Sequence, residues 1–303
     1  RFISEKKNFL KKDILNALSS STNFYLHYNG KDITNLQKKY SSLVSKLTEK
    51  IYPNLKKKIE LNKKPKIIKI GFISSHIREH VIMKLFKNWI ININSEKFKT
   101  FVYHSSSKID NTTRLIKDAS HVFYNNVDTD ELVNKIYSDQ LDILIYLDIG
   151  MDPKIQILAS LRLASIQCCA YGVPVTSGFN SIDFFLTAAE METKDSDLFY
   201  SEKLIRLPKL GVNYDILKEN IENFNIDKDE NKFYFLTLQS NFKLLPQHDH
   251  IYFDIIKKNP QCKFWFLGKK NEFVAGKFKD RLSSLSAKNN IIFDDYFSFF
   301  YEM

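Results

Sequence analysis

From residue 67 onward the chain alternates short apolar, β-branched runs with helix-compatible stretches of about 8–15 residues, the pattern of βαβ units on a parallel sheet covered on both faces. The runs are KIIKIGFIS (66–74), FKTFVYH (98–104), HVFY (121–124), LDILIYLDIG (141–150), SIQCCAYG (165–172) and SIDFFLTA (181–188). Helices are expected at 81–93, near 110–118, and at 129–138 and 153–162. The spacing predicts an α/β, doubly wound first domain. A polar, Asn/Asp/Glu-rich stretch at 215–231 reads as an inter-domain connection. A second α/β series follows, with KFYFLTLQ (232–239), a helix at about 246–258, CKFWFLG (262–268), a helix at about 271–285 and NNIIF (289–293). Three strands are too few for a complete domain of this kind, so the second domain is expected to be partial. Ahead of the sheet, residues 1–20 and 33–51 read as amphipathic helices. In the second of them Ile33, Leu36, Tyr40, Leu43, Leu47 and Ile51 recur near the helical period, and a Lys-rich linker runs from Pro53 to Pro65. The expected division is a helical segment and linker over 1–65, a first Rossmann-like domain over 66–225 and part of a second over 226–303.

The formal net charge of +10 invites a nucleic-acid reading, which its distribution opposes. Residues 1–66 hold sixteen basic and five acidic residues, leaving the remainder of the chain at −1. The basic residues are 39 Lys and 6 Arg, whereas base-edge readout favours the planar guanidinium. No nucleic-acid partner is expected. Cys168, Cys169 and Cys262 form no CxxC spacing, which argues against a zinc site or a disulfide framework and fits a reducing, cytoplasmic setting. No uncharged apolar run reaches 18 residues, so no membrane span is expected. The chain opens on Arg1 and closes on Met303 after what reads as the start of a helix, and both ends are read as cut.

Ligands of open α/β sheets sit outside the carboxyl ends of the strands, which selects four loops: Ser74–His80, Asp148–Asp152, Tyr171–Gly178 and Gln239–Pro246. His80, just before a helix, can exchange a proton near neutral pH or simply cap that helix, while His76 is supported only by proximity. Gly172, Pro174, Thr176 and Gly178 supply either a fixed backbone that approaches a sugar or phosphate, or a structural turn. Lys243, between a strand end and a helix start, suits a developing phosphate charge. His248 and His250 would point apart on a helix, against a shared metal. Asp148 and Asp152 could pair as acid and base or hold Mg²⁺, but Asp152 before Pro153 reads better as an N-cap.

Taken in order, IGFISSHIREH, LDILIYLDIGMDP, LRLASIQCCAYGVPVTSG with IDFFL, YSEKLIRLP and FLTLQSNFKLLP resemble the O-GlcNAc-transferase family of nucleotide-sugar glycosyltransferases. That family also includes Spindly-type protein O-fucosyltransferases and bacterial adhesin glucosyltransferases. Bacterial members with the catalytic region behind tetratricopeptide repeats look most similar, and the likeness runs from about Lys66 to Asp295. It implies a GT-B fold of two Rossmann-like domains, with the sugar nucleotide held mainly by the second. Carried over, His80 matches a histidine beside the reacting sugar that has been proposed as base. Tyr171, Gly172 and Pro174 match the sugar-contacting loop, whose turn Thr176 and Gly178 complete. Lys243 matches the lysine that neutralises the diphosphate, with Phe242 at a usually aromatic position. Val173 replaces the Tyr or His common there, and Ser240 stands where some members place a nucleotide-contacting Gln, with Gln239 adjacent. The implied chemistry is inverting transfer from a UDP- or GDP-linked sugar to a protein Ser or Thr, needing no metal and no other cofactor. Runner-up readings are a transferase acting on a glycan or small acceptor, and a non-catalytic sugar- or peptide-binding module. The matched blocks stop before the family's later second-domain loops, which bind the base, ribose and much of the diphosphate. Residues 1–65 fall where tetratricopeptide repeats would dock an acceptor, and a two-helix cap or spacer stands equally open.

Overall fold

The computed structural model of the chain describes residues 11–57, 59–60, 65–215, 229, 231–267, 272–283 and 290–294. The first ten residues of the first expected helix, most of the 215–231 connection and Asp295 lie outside them. Contacts divide the chain into two compact units, Arg1–His27 with Asp32–Leu217, and Tyr28–Lys31 with Lys218–Met303.

The larger unit is built on seven parallel strands: β1 (Ile68–Ser74), β2 (Phe98–His104), β3 (Val122–Asn125), β4 (Leu141–Tyr146), β5 (Ala164–Ala170), β6 (Phe184–Ala188) and β7 (Lys203–Leu207). Their order across the sheet is β3-β2-β1-β4-β5-β6-β7, so the direction of winding reverses between β1 and β4. Helices α3 (Val81–Ile91), α4 (Asn111–Ala119), α5 (Thr129–Asp139) and α6 (Pro153–Ala159) make the crossovers that parallel pairing requires. The central strands bury nearly every position, with Phe72, Ile73, Val102, Leu144, Tyr146 and Phe185 at most 1% exposed. That is why their sequences read as continuous apolar runs. Helix starts are set by side chains: Asp110 forms a capping box with Thr113, Asp128 caps α5, and Asp152 accepts from the Lys154 amide at 2.7 Å with Pro153 at N1, as expected.

Among the described residues, α1 (Lys11–Leu18) and α2 (Thr34–Ile51) precede the sheet, and a 3₁₀ turn at Pro53–Lys56 occupies part of the expected linker. The buried face of α2 takes in only part of its apolar stripe, Ile33 and Leu47, with Tyr40 and Ile51 half-buried. Leu36 and Leu43 are exposed, while Thr34, Gln37, Ser41, Val44, Leu47 and Thr48 are buried. The orientation follows from hydrogen bonds: Gln37 Nε2 and Ser41 Oγ both donate to the Ser177 carbonyl, at 3.1 and 2.6 Å, and the Thr48 and Ser160 hydroxyls pair at 2.8 Å. Left buried without partners, these groups would each cost about 1–3 kcal/mol.

In the smaller unit β8 (Phe233–Thr237), β9 (Cys262–Leu267) and β10 (Ile291–Asp294) form a parallel sheet in the order β10-β9-β8. Helices α7 (Asp249–Lys258) and α8 (Glu272–Ser283) accompany it, and Cys262, Phe264, Phe266, Phe278 and Leu282 form its core. Both units are Rossmann-like.

Candidate functional site

The strand order reverses between β1 and β4, and the crevice at the carboxyl ends of such a switch point is where open α/β sheets bind ligands. Ser74 ends β1 and Asp148 follows β4 by two residues, so the two meet across the crevice. Asp148 is fully buried, and its Oδ2 accepts from Ser74 Oγ at 2.8 Å and from His76 Nδ1 at 2.8 Å. The His76 amide in turn donates to Ser74 Oγ at 2.8 Å. This closed loop of bonds sets the His76 ring with its proton on Nδ1. The other carboxylate oxygen, Oδ1, has no hydrogen-bond partner among the described residues.

His76 stacks on His80, with ring centroids 4.1 Å apart. His80 caps α3: its Nδ1 accepts from the Ile82 amide at 3.3 Å. Burial, together with the neighbouring His76 and Arg78, lowers the His80 pKa to about 4, so its ring is neutral at physiological pH. With Nδ1 accepting, the neutral ring carries its proton on Nε2 and offers a donor there.

Gly172, just past β5, completes this wall. A Cβ at that position would lie 2.2 Å from the Leu147 carbonyl oxygen and 2.8 Å from Ile82 Cδ1, so only glycine lets the loop close over the ends of β4 and α3. Pro174 beside it is exposed. Tyr171 turns away: its ring packs edge-on against Phe86, and its hydroxyl donates to the Leu210 carbonyl at 2.6 Å. Burial, reinforced by Tyr214, pushes its pKa up to about 12. Thr176 is buried, donates to Glu202 Oε2 at 2.7 Å, and accepts from the Gly178 and Ser201 amides. Gly178 has φ +73°, and a Cβ on it would lie 2.8 Å from the Gln37 carbonyl oxygen. Thr176 and Gly178 therefore form the seat for α2, while Gly172, against Leu147 and Ile82, stays with His80 at the start of α3. In the sequence His76 is supported only by its proximity to His80, and Asp148 is open between an acid–base pair and a metal ligand. The β1–β4 adjacency that joins them has no local signature.

In the smaller unit, Gln239 and Ser240 follow β8 and lead into a 3₁₀ turn, Asn241–Lys243. Gln239 is exposed, and Ser240, Phe242 and Lys243 are half-buried. Tyr28, absent from the sequence-based candidates, packs edge-on against Phe242 with centroids 5.0 Å apart, and Lys243 Nζ lies 5.4 Å from the centre of the Tyr28 ring. The aromatic pair holds the lysine stem while leaving its charge on the strand-end loop. His250 Nδ1 lies 3.0 Å from the Gln247 carbonyl, a local bond rather than a ligand geometry. No group of three or more His, Cys, Asp or Glu suited to a metal occurs among the described residues.

Comparison with known proteins gives this arrangement its relatives. A profile described as Glycosyl transferase family 41 matches residues 27–232. The Arabidopsis thaliana protein named Probable UDP-N-acetylglucosamine–peptide N-acetylglucosaminyltransferase SEC is 27% identical over 215 residues, covering 67% of this chain and 22% of that protein. Among solved structures, a lysine-to-methionine mutant of Thermobaculum terrenum O-GlcNAc transferase superposes with a TM-score of 0.74 at 17% identity, over 94% of this chain and 55% of that one. That likeness shows the fold, which is of the GT-B type. The chain thus spans about a fifth and about half of the lengths of these two relatives. With more than half of its residues matched by one family profile, and with the fold to go with it, the chain belongs to Glycosyl transferase family 41, the O-GlcNAc-transferase-like glycosyltransferases.

Proposed function

We propose that this chain is a catalytic part of an inverting, metal-independent transferase that moves a sugar from a UDP- or GDP-linked donor to a Ser or Thr hydroxyl of a protein. N-acetylglucosamine is the sugar named for both relatives and is the first choice, with fucose or a hexose as alternatives. The observation that carries the reading is the neutral His80, stacked on an Asp148-anchored His76 at the switch point of a family 41 chain.

In the reaction the acceptor oxygen bonds to the anomeric carbon as that carbon's bond to the diphosphate oxygen breaks, inverting the centre. The hydroxyl proton has two destinations. It passes to a phosphate oxygen of the departing nucleotide, or to His80 Nε2 if the ring first gives up its Ile82 bond and shifts its own proton. The observed capping bond supports the first route, with His80 donating from Nε2 to orient the reacting groups. Lys243 is assigned to the negative charge that grows on the diphosphate, a task for a charge-assisted hydrogen bond.

The test is transfer from UDP-N-acetylglucosamine, UDP-glucose and GDP-fucose to Ser/Thr peptides, with and without EDTA. The expected result is EDTA-resistant release of one nucleoside diphosphate. His80→Ala should lower kcat at least about 100-fold, while nucleotide affinity stays within about tenfold. Transfer to glycans alone would replace the protein acceptor with the runner-up, and unaltered turnover in His80→Ala would remove the histidine from the reaction.

A further inference from the structure

Next to the histidine pair, at the carboxyl ends of β1 and β2, lies an open cavity of about 340 Å³ whose wall carries three cations from three different elements. Arg78 comes from the β1–α3 loop, Lys108 from the β2–α4 loop and Lys154 from α6. None of the three has a carboxylate partner among the described residues: Arg78 Nη1 reaches only the Glu79 carbonyl at 3.4 Å, and Lys154 Nζ the Val127 carbonyl at 2.7 Å. The one acid on the wall, Asp152, already spends Oδ1 on the α6 cap.

Ser105 lines the same cavity, is 3% exposed, and its Oγ has no hydrogen-bond partner among the described residues. A buried hydroxyl without a partner is costly unless something supplies one. The wall around it is held in place. His104 is buried with Nε2 2.8 Å from the Lys108 carbonyl, and Asn125 Nδ2 donates to the His104 and Ser106 carbonyls at 3.0 and 2.6 Å. The backbone that carries Ser105 and Lys108 is therefore pinned beside the cavity.

We propose that this cavity binds a phosphoryl group. Donors contributed by three separate elements, with a net positive wall, match a tetrahedral dianion better than a planar carboxylate, which a single guanidinium fork would satisfy. Such a group can arrive on a phosphorylated acceptor or as a terminal phosphate of the nucleotide. His76, which lines the cavity and stacks on His80, puts either one beside the crevice.

The experiment titrates the 303-residue chain with inorganic phosphate at constant ionic strength, following the amide resonances of Ser105–Lys108. The expected result is a saturable shift of these amides that chloride does not reproduce. Arg78→Gln and Lys108→Gln should each weaken it about tenfold, and Ser105→Ala, which removes only the buried hydroxyl, severalfold. O-phosphoserine and UDP then distinguish the sources, since the one that competes with phosphate at these amides identifies the carrier. Absence of a saturable shift at Ser105–Lys108, or an affinity unaltered in both Lys108→Gln and Ser105→Ala, overturns the proposal. Binding is read without turnover, so a failure to transfer sugar leaves this site standing.

Discussion

Replacing Thr176 by valine separates a structural turn from a ligand-contacting loop. The Thr176 hydroxyl is the partner of the buried Gly178 amide at 3.2 Å and donates to the buried Glu202 carboxylate at 2.7 Å. Valine keeps the shape and deletes both bonds. A stranded buried N–H costs about 1–3 kcal/mol, and a lost hydrogen bond to a charged group about 1.5–3 kcal/mol. Shared relaxation makes the sum less than additive, giving about 2–5 kcal/mol. The Ser201 amide, on an exposed residue, can turn to water and adds little. With only two tryptophans in the chain, Trp265→Phe leaves Trp89 as the reporter of the larger unit in a urea titration. At a typical urea slope the midpoint should fall by on the order of 1–2 M. A loss below about 0.5 kcal/mol, the range of ordinary surface substitutions, would refute the assignment of this turn to the seat of α2.

Other consequences follow from the same geometry. Burial lowers the His80 pKa from 6.5 to about 4, so the neutral ring persists well into acid: kcat/KM should hold between about pH 5 and 7 and fall only as His80 protonates near pH 4, whereas an acid limb near 6.5 would contradict the burial. Because the unfolded chain binds this proton more readily, His80 stabilises the fold above its unfolded value and that contribution is lost as pH falls through the window from 6.5 to about 4, which acid titration of the Trp89 signal reads. In Asp148→Asn the His76 ring should lose its single tautomer, seen as averaged imidazole nitrogen shifts, while an unaltered Nδ1–H signature would show that Asp148 does not set it. Gly172→Ala must push against the Leu147 carbonyl and should destabilise the larger unit by about 1–3 kcal/mol, and a neutral substitution would mean that the loop does not close as described.

What was legible in the sequence divides along physical lines. Strands β1, β2, β4 and β5 announce themselves because both their faces are buried, and the helices between them start at Asp110, Asp128 and Asp152, whose side chains cap locally. Strand β7 escaped, since Lys203–Leu207 is a short edge strand whose Lys203 and Arg206 face solvent. The orientation of α2 was only partly readable, because its buried face combines the apolar Val44 and Leu47 with Gln37 and Ser41, which donate to the Ser177 carbonyl. The strand-end positions of His80 and Gly172 in the larger unit, and of Lys243 in the smaller, were readable from the sequence. The His76–Asp148 bond joins residues 72 apart in sequence through the β1–β4 pairing, and Tyr28 meets Lys243 across an even longer separation, so neither leaves a local pattern.

Whether this family 41 chain handles a sugar nucleotide is decided by calorimetric titration of the protein with UDP and with GDP, wild type beside Lys243→Ala. The expected result is binding of one nucleotide that weakens by about 1.5–3 kcal/mol in the variant, the range for a hydrogen bond to a charged group. Affinity unaltered in Lys243→Ala, or no binding of either nucleotide, would contradict it.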